Sequence, residues 1–199
     1  MRGAWAPVLA LGVLAALACG TAQAGAQQYE PLAASVQAAM QAAVSDSAAP
    51  EPQFANEEEK RAWLAAMSQR LAAYMPDAVA RLSFLKTVYY EAKRAGLDPQ
   101  MVLGVIQVES RFRKYAVSVA GARGYMQVMP FWVGLIGQRE NNLFHSRLNL
   151  RYGCTILRHY LDLERGDIYR ALGRYNGSLG QAEYPNLVRA AWEKKWAWR

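Results

Sequence analysis

Cysteine is scarce in this chain: its 199 residues hold two, Cys19 and Cys154. If Cys19 lies in a discarded leader, no internal disulfide is left, and stability has to come from a packed core. Histidine is as rare. His145 and His159 are too few and too badly spaced for a metal site, so neither metal nor cofactor is expected. No alternating apolar–polar run exceeds a few residues, which argues against a sheet. No internal repeat is present, and the one long apolar run is too short and too near the start to span a membrane well.

What the chain does have is apolar content, 53% of its residues, enough for a globular core. It opens like a secretory leader. Arg2 supplies the positive start, "APVLALGVLAALA" the apolar centre, and "AQA" at Ala22 to Ala24 a small-x-small cleavage site, so a cut after Ala24 and a periplasmic location are expected. Cys19 offers the alternative of an outer-membrane lipoprotein, although Ala16 stands where such signals usually carry Leu. Charge is uneven: residues 25–80 carry a net −4, whereas residues 81–199 carry nine acids and nineteen bases, a net +10. The basic half favours an acidic polymer or surface. Export and the lack of a nucleic-acid motif argue against a nucleic acid.

The pattern divides the chain into a leader (1–24), a helical N-terminal extension with linker (25–78) and a main helical domain (79–199). Residues 25–52 are rich in Ala, Gln and Ser, with a loose helix from Tyr29 to Val44, and end in the linker-like "SDSAAPEP". The next helix is capped by Asn56, carries three glutamates in its first turn and stops at Pro76. Beyond it the chain reads as almost wholly helical. One helix ends at Gly96, and another is capped by Asp98 with Pro99 first. A Gly-rich segment follows, then a short helix from Pro130 to Gly137. Helices through "LNLRYGCTILRHYLDLE", "DIYRALGRYNG" and "YPNLVRAAWEKKWAW" complete the chain. Cys154 falls on an apolar helical pattern and reads as a small buried hydrophobe.

The residue out of place is Glu109. In "VIQVESRF" it shares a helix face with Val102, Val105 and Ile106, at the i, i+3, i+4, i+7 spacing of a buried stripe. A carboxyl taken out of water holds its proton to higher pH and can then donate it to a leaving group, the use glycoside-cleaving enzymes make of glutamate. A helix-end Glu that reaches solvent, or pairs with Arg111 or Arg113, fits this stretch equally well. Downstream, "SVAGARGYMQVMP" adds glycines that let backbone approach a ligand, a Gln that can both donate and accept, and two adaptable methionines.

In order along the chain stand Glu109-Ser110, Ser118 nine residues after the Glu, Gly124, Met126-Gln127 with the Gln eighteen after it, Met129-Pro130, Asn149 and Gly153, then Tyr175-Asn176-Gly177. This series resembles the soluble lytic transglycosylase (SLT-type) catalytic domain of the lysozyme-like superfamily, over about residues 80–190. Tyr184 matches a later family tyrosine only loosely. Tyr125 stands where the family usually has Leu, Asn-Gly-Ser where it has Asn-Ala-Gly, and Pro185 where Val is common. The resemblance implies a mainly α, lysozyme-like fold shared with goose-type lysozyme. It also implies action on peptidoglycan glycan strands, at the bond from N-acetylmuramic acid to N-acetylglucosamine, with Glu109 as single general acid and base and a 1,6-anhydro product. By the same resemblance Tyr175 would hydrogen-bond Glu109. Ser118 and Gln127 would orient the sugar, Met129 would pack against it, Asn176 would line the site, and Ser110 would support the helix end. No Asp or Glu occurs between Glu109 and Glu140, although Asp162 or Glu183 could supply a second carboxylate. A monomer is expected, serving wall turnover or an envelope machine. A water-using muramidase, and a wall-binding protein that kept the fold without the activity, remain alternatives.

Overall fold

The computed structural model describes residues 27–45 and 54–198. The expected leader, Cys19 and the linker up to Gln53 lie outside the described residues. Eight α-helices occur among those described: α1 (Ala34–Ser45), α2 (Glu57–Leu71), α3 (Ala78–Arg94), α4 (Pro99–Ser110), α5 (Phe131–Ile136), α6 (Ser146–Leu163), α7 (Ile168–Asn176) and α8 (Glu183–Ala191). The only extended pairing among them is two isolated bridges, Val117 with Arg123 and Arg123 with Val128. The mainly α expectation therefore holds.

Local chemistry sets the helix ends. Asn56 Oδ1 accepts from the Glu59 N–H at 2.8 Å, and Glu59 Oε2 accepts in return from the Ala55 N–H at 2.9 Å. Asp77, Asp98 and Asp167 cap α3, α4 and α7 in the same way. Past α3 the chain turns through Gly96 at φ +66°. The final segment differs from the single helix expected there. After Ala191 it widens into a π-type turn, Trp192–Trp196, which seats Trp196 fully buried with its indole N–H on Gln107 Oε1 at 2.8 Å.

Helix α4 is the mount. Met101, Val102, Leu103, Val105 and Ile106 are all buried, so the helix is covered on nearly every side. It packs against α8, the π turn and α3. Gly104 permits the contact with α8, because a Cβ there would meet Val188 O and Trp192 N, both backbone, at 3.2 Å. The N-terminal helices share this core. Met40 and Val44 of α1 bury against α5 and α6, with Gln37 donating to Leu135 O at 2.8 Å. Trp63, Met67 and Leu71 of α2 bury against α3, where Phe54 stacks on Tyr89 at 3.8 Å. A carboxylate ties α3 to α6: buried Glu91 meets Arg151 at 2.9 Å, Arg147 at 3.3 Å and Arg94 at 3.9 Å.

The Gly-rich loop between α4 and α5 is held from below by α6. Buried Asn149 accepts from the Met126 N–H at 2.8 Å and donates to Arg123 O at 2.8 Å and Leu143 O at 2.9 Å. Gly153, one turn on, leaves room for Met126: a Cβ there would lie 2.7 Å from Met126 Cβ. Cys154 is buried beside the Met126 sulfur at 4.0 Å, and burial pushes its thiol pKa up, in keeping with an inert hydrophobe. Asn149→Ala strands three backbone groups in a dry interior, so it should cost about 2–4 kcal/mol, read as a lower denaturant midpoint.

Candidate active site

Glu109 sits in the last turn of α4 with 4% of its surface exposed. Neither Arg111 nor Arg113 reaches it; Arg113 instead donates to Ser110 O at 3.0 Å. Its partner comes from α8. The Tyr184 hydroxyl, itself buried, donates to Glu109 Oε1 at 2.6 Å. Glu109 Oε2 is buried without a hydrogen-bond partner. Burial raises the carboxyl pKa from about 4.5 to about 8, and the Tyr184 hydrogen bond pulls in the opposite direction. At neutral pH the group is therefore a carboxylic acid. With Oε1 accepting from Tyr184, its proton belongs on Oε2. Among the described residues, burial and Tyr184 are the causes of the Glu109 shift. Asp162 is paired with Arg158, and Glu183 is exposed.

The expected hydrogen bond from Tyr175 to Glu109 is not formed. Tyr175, fully buried on α7, donates instead to Met126 O at 2.7 Å, and Tyr184 takes the place beside the acid. Tyr175 still stands close enough for the Glu109 charge to raise its pKa, second to burial itself. It fixes the Gly-rich loop at Met126 rather than the acid.

Gln127 is buried at φ +49°, and its two amide hydrogens go to Ala116 O at 3.1 Å and Gly124 O at 2.9 Å. Its donors shape the loop, so only Oε1 remains to face a ligand. Ser118 lies half-buried at the loop tip, where its hydroxyl oxygen accepts from the Ala122 N–H at 3.0 Å. Met129 is half-buried ahead of α5, and Asn176 is buried at the end of α7, before Gly177 at φ +81°. Ser110 Oγ donates to Ile106 O at 3.2 Å, the helix-end role expected of it.

Three further residues belong to this neighbourhood. Tyr184 falls in phase with Val188 and Ala191 on the buried face of α8, a stripe that marks its burial but not its partner. Trp132 is buried at the start of α5. Gln27 is buried too, and its side chain touches Gln127 O, the Met129 N–H and the Trp132 indole. Nothing in the Ala- and Gln-rich composition of residues 25–52 distinguishes Gln27.

The transglycosylase SLT domain family model matches residues 86–197. Over 103 residues the chain is 34% identical to a transglycosylase of Enterobacteria phage PRD1, covering 52% of this chain and 38% of the phage protein. Over 51 residues it is 49% identical to the membrane-bound lytic murein transglycosylase C of Actinobacillus pleuropneumoniae serotype 5b (strain L20), covering 26% of this chain and 14% of that protein. Among solved structures, an inactive mutant of the lytic transglycosylase Slt from Pseudomonas aeruginosa matches 83% of this chain and 34% of its own, at 18% identity and a TM-score of 0.45. The chain thus spans well under half the length of these relatives.

Two measurements check the Glu109 environment. Between pH 4.5 and about 8 the folded chain holds a proton that the unfolded chain has released, so this group's contribution to stability declines as pH rises through that window. Glu109→Gln removes the penalty. Its melting temperature should exceed that of the parent by a margin that is small at pH 5 and larger at pH 8. Tyr184→Phe removes the hydrogen bond that favours the ionised form, so the Glu109 carboxyl, followed by carbon NMR, should titrate at higher pH than in the parent.

Proposed function

The chain belongs to the transglycosylase SLT domain family, and on that premise we propose that it is a peptidoglycan lytic transglycosylase with Glu109 as its single acid and base. The observation that carries this reading is the buried carboxyl whose pKa stands near 8 and whose Oε2 has no hydrogen-bond partner among the described residues. Such a group holds a transferable proton at neutral pH that no described residue accepts.

The reaction proceeds in two proton transfers. Glu109 Oε2 protonates the glycosidic oxygen as the bond from C1 of N-acetylmuramic acid breaks, and the leaving N-acetylglucosamine keeps that proton. The carboxylate left behind is held by the Tyr184 hydroxyl. Glu109 then takes the proton of the same muramic acid's C6 hydroxyl while that oxygen bonds to C1. The product is a 1,6-anhydro ring, and the acid is regenerated. Because the attacking hydroxyl belongs to the substrate, orientation replaces the second carboxylate of an ordinary glycosidase.

Ser118, the Gln127 carbonyl oxygen, Met129 and Asn176 would hold the sugar opposite the acid, with Tyr175 keeping their loop in place. The surplus of bases over residues 81–199 would draw the anionic wall to this half of the molecule. Work on the wall fits a periplasmic location, as a monomer acting alone or beside envelope machinery. None of the described helices is long and apolar enough to cross a membrane.

Digestion of purified peptidoglycan, with products read by mass spectrometry, tests the reading. Anhydro-muropeptides, lighter by one water than hydrolysis products, are expected. Reducing ends would mean a muramidase, and intact glycan that sediments with the protein would mean a binding protein. Glu109→Gln should lower the rate by about 10²- to 10⁴-fold, the usual contribution of a positioned general acid. Activity in the parent should fall as pH passes about 8, because the acid form is lost there.

A further inference from the structure

Residues 27–33 form an irregular strap that leads into α1. Only Gln27 is buried in it, with 4% of its surface exposed, while Gln28, Tyr29, Glu30 and Pro31 are exposed. A strap held by packing alone would insert an apolar side chain. This one inserts a carboxamide, and it is engaged at both ends. Gln27 Oε1 accepts from the Met129 backbone N–H at 3.3 Å and from the Trp132 indole N–H at 3.0 Å. Its Nε2 reaches Gln127 O at 3.5 Å, and the side chain also hydrogen-bonds the Tyr175 hydroxyl. The amide thus sits among Gln127, Met129 and Tyr175, one tyrosine away from Glu109.

The ring of groups around it defines what fits there. Two N–H donors converge on one carbonyl oxygen, and the Gln127 backbone carbonyl faces the amide nitrogen. A secondary amide can satisfy these groups, and an acetamido sugar presents one, with one carbonyl acceptor and one N–H donor. We propose that Gln27 is an internal ligand: its carboxamide occupies a subsite for the acetamido group of the glycan, so the strap competes with substrate and holds the site closed. The inference rests on the glycan-cleaving reading above and adds a regulatory contact to it.

The strap is built to leave. Beyond Gln27, residues 28–31 are tied by an exposed ion pair, Glu30 with Arg174 at 3.2 Å, and an edge-on ring contact, Tyr29 with Phe131 at 5.7 Å, both weak interactions at a surface. Leu32, half-buried against the core, anchors the strap at its α1 end. Helix α1, which follows, is anchored independently through Met40, Val44 and Gln37, so the strap can swing out while the core stays intact. Glycan affinity is reduced by the fraction of molecules that hold the strap closed.

Calorimetry of the full chain carrying Glu109→Gln, which slows turnover, tests this with two tetrasaccharides. Chitotetraose carries an acetamido group on every ring; cellotetraose carries hydroxyls there, which do not reach into an amide site. Adding Gln27→Ala should tighten chitotetraose about tenfold, the order set by one or two net hydrogen bonds, and leave cellotetraose unchanged. Gln27→Glu, of the same shape but with no N–H to donate, should also tighten chitotetraose. No gain for chitotetraose, or weaker binding, would overturn the proposal, since Gln27 would then help to hold the glycan or stand apart from it. An equal gain for both sugars would also overturn it, because the strap would then be a steric cover. Binding is read apart from turnover, so failure of the parent to release anhydro products would refute the enzymatic reading while leaving this one standing.

Discussion

The structure depends on keeping one carboxyl group away from water without giving it a counter-charge. Among the described residues two glutamates are deeply buried, and the fold treats them in opposite ways. Glu91 is met by three guanidinium groups and serves as a tie between two helices. Glu109 receives a single neutral phenol on one oxygen and nothing on the other. An arginine beside Glu109 would stabilise the fold and pull the proton off the carboxyl; its absence leaves the fold less stable and the acid usable. Much of the remaining architecture follows from this. Helix α4 is apolar almost all round because its surroundings must be dry. Gly104 allows α8 close enough to deliver Tyr184, and Trp196 closes the same side of α4 through Gln107.

The Gly-rich loop between α4 and α5 is rigid for a related reason. A Gly-rich segment would have many conformations on its own, and here nearly every polar group within reach is used to reduce them. Asn149 holds it from α6, Tyr175 from α7, and Gln127 from inside the loop itself. Side chains that would be read as sugar-binding from their motif are thus largely occupied with one another. What they present outward is a small set of fixed acceptors and donors, and Gln27 shows that an amide satisfies them.

Much of this is legible in the sequence. The helices carry their own punctuation, in Asn56, Asp98-Pro99, Gly96 and Gly177, and the apolar stripe of α4 puts Glu109 on a buried face by spacing alone. The misassigned partner has a physical explanation. Tyr175 and Tyr184 both lie in phase with buried positions on their helices, so periodicity buries both and cannot say which hydroxyl meets the carboxyl; that depends on how α7 and α8 cross α4. The π-type turn at Trp192 is hidden because "WEKKW" continues a helical pattern, and the widening is imposed by seating Trp196 against Gln107. Gln27 is invisible because an isolated polar residue in an Ala- and Gln-rich stretch carries no period at all. Its place comes entirely from tertiary contacts.

The contact between Tyr184 and Glu109 also sets an order of events. Seventy-five residues of sequence separate the two partners, and the later one lies on the last α-helix described. While a chain is still being made, α4 can already be helical, yet its carboxyl has neither the phenol nor the cover of α8 and behaves as an ordinary ionised glutamate. On the proposed reading, competence as an acid therefore arrives in one step, when α8 docks, and a partly folded molecule is chemically silent toward glycan.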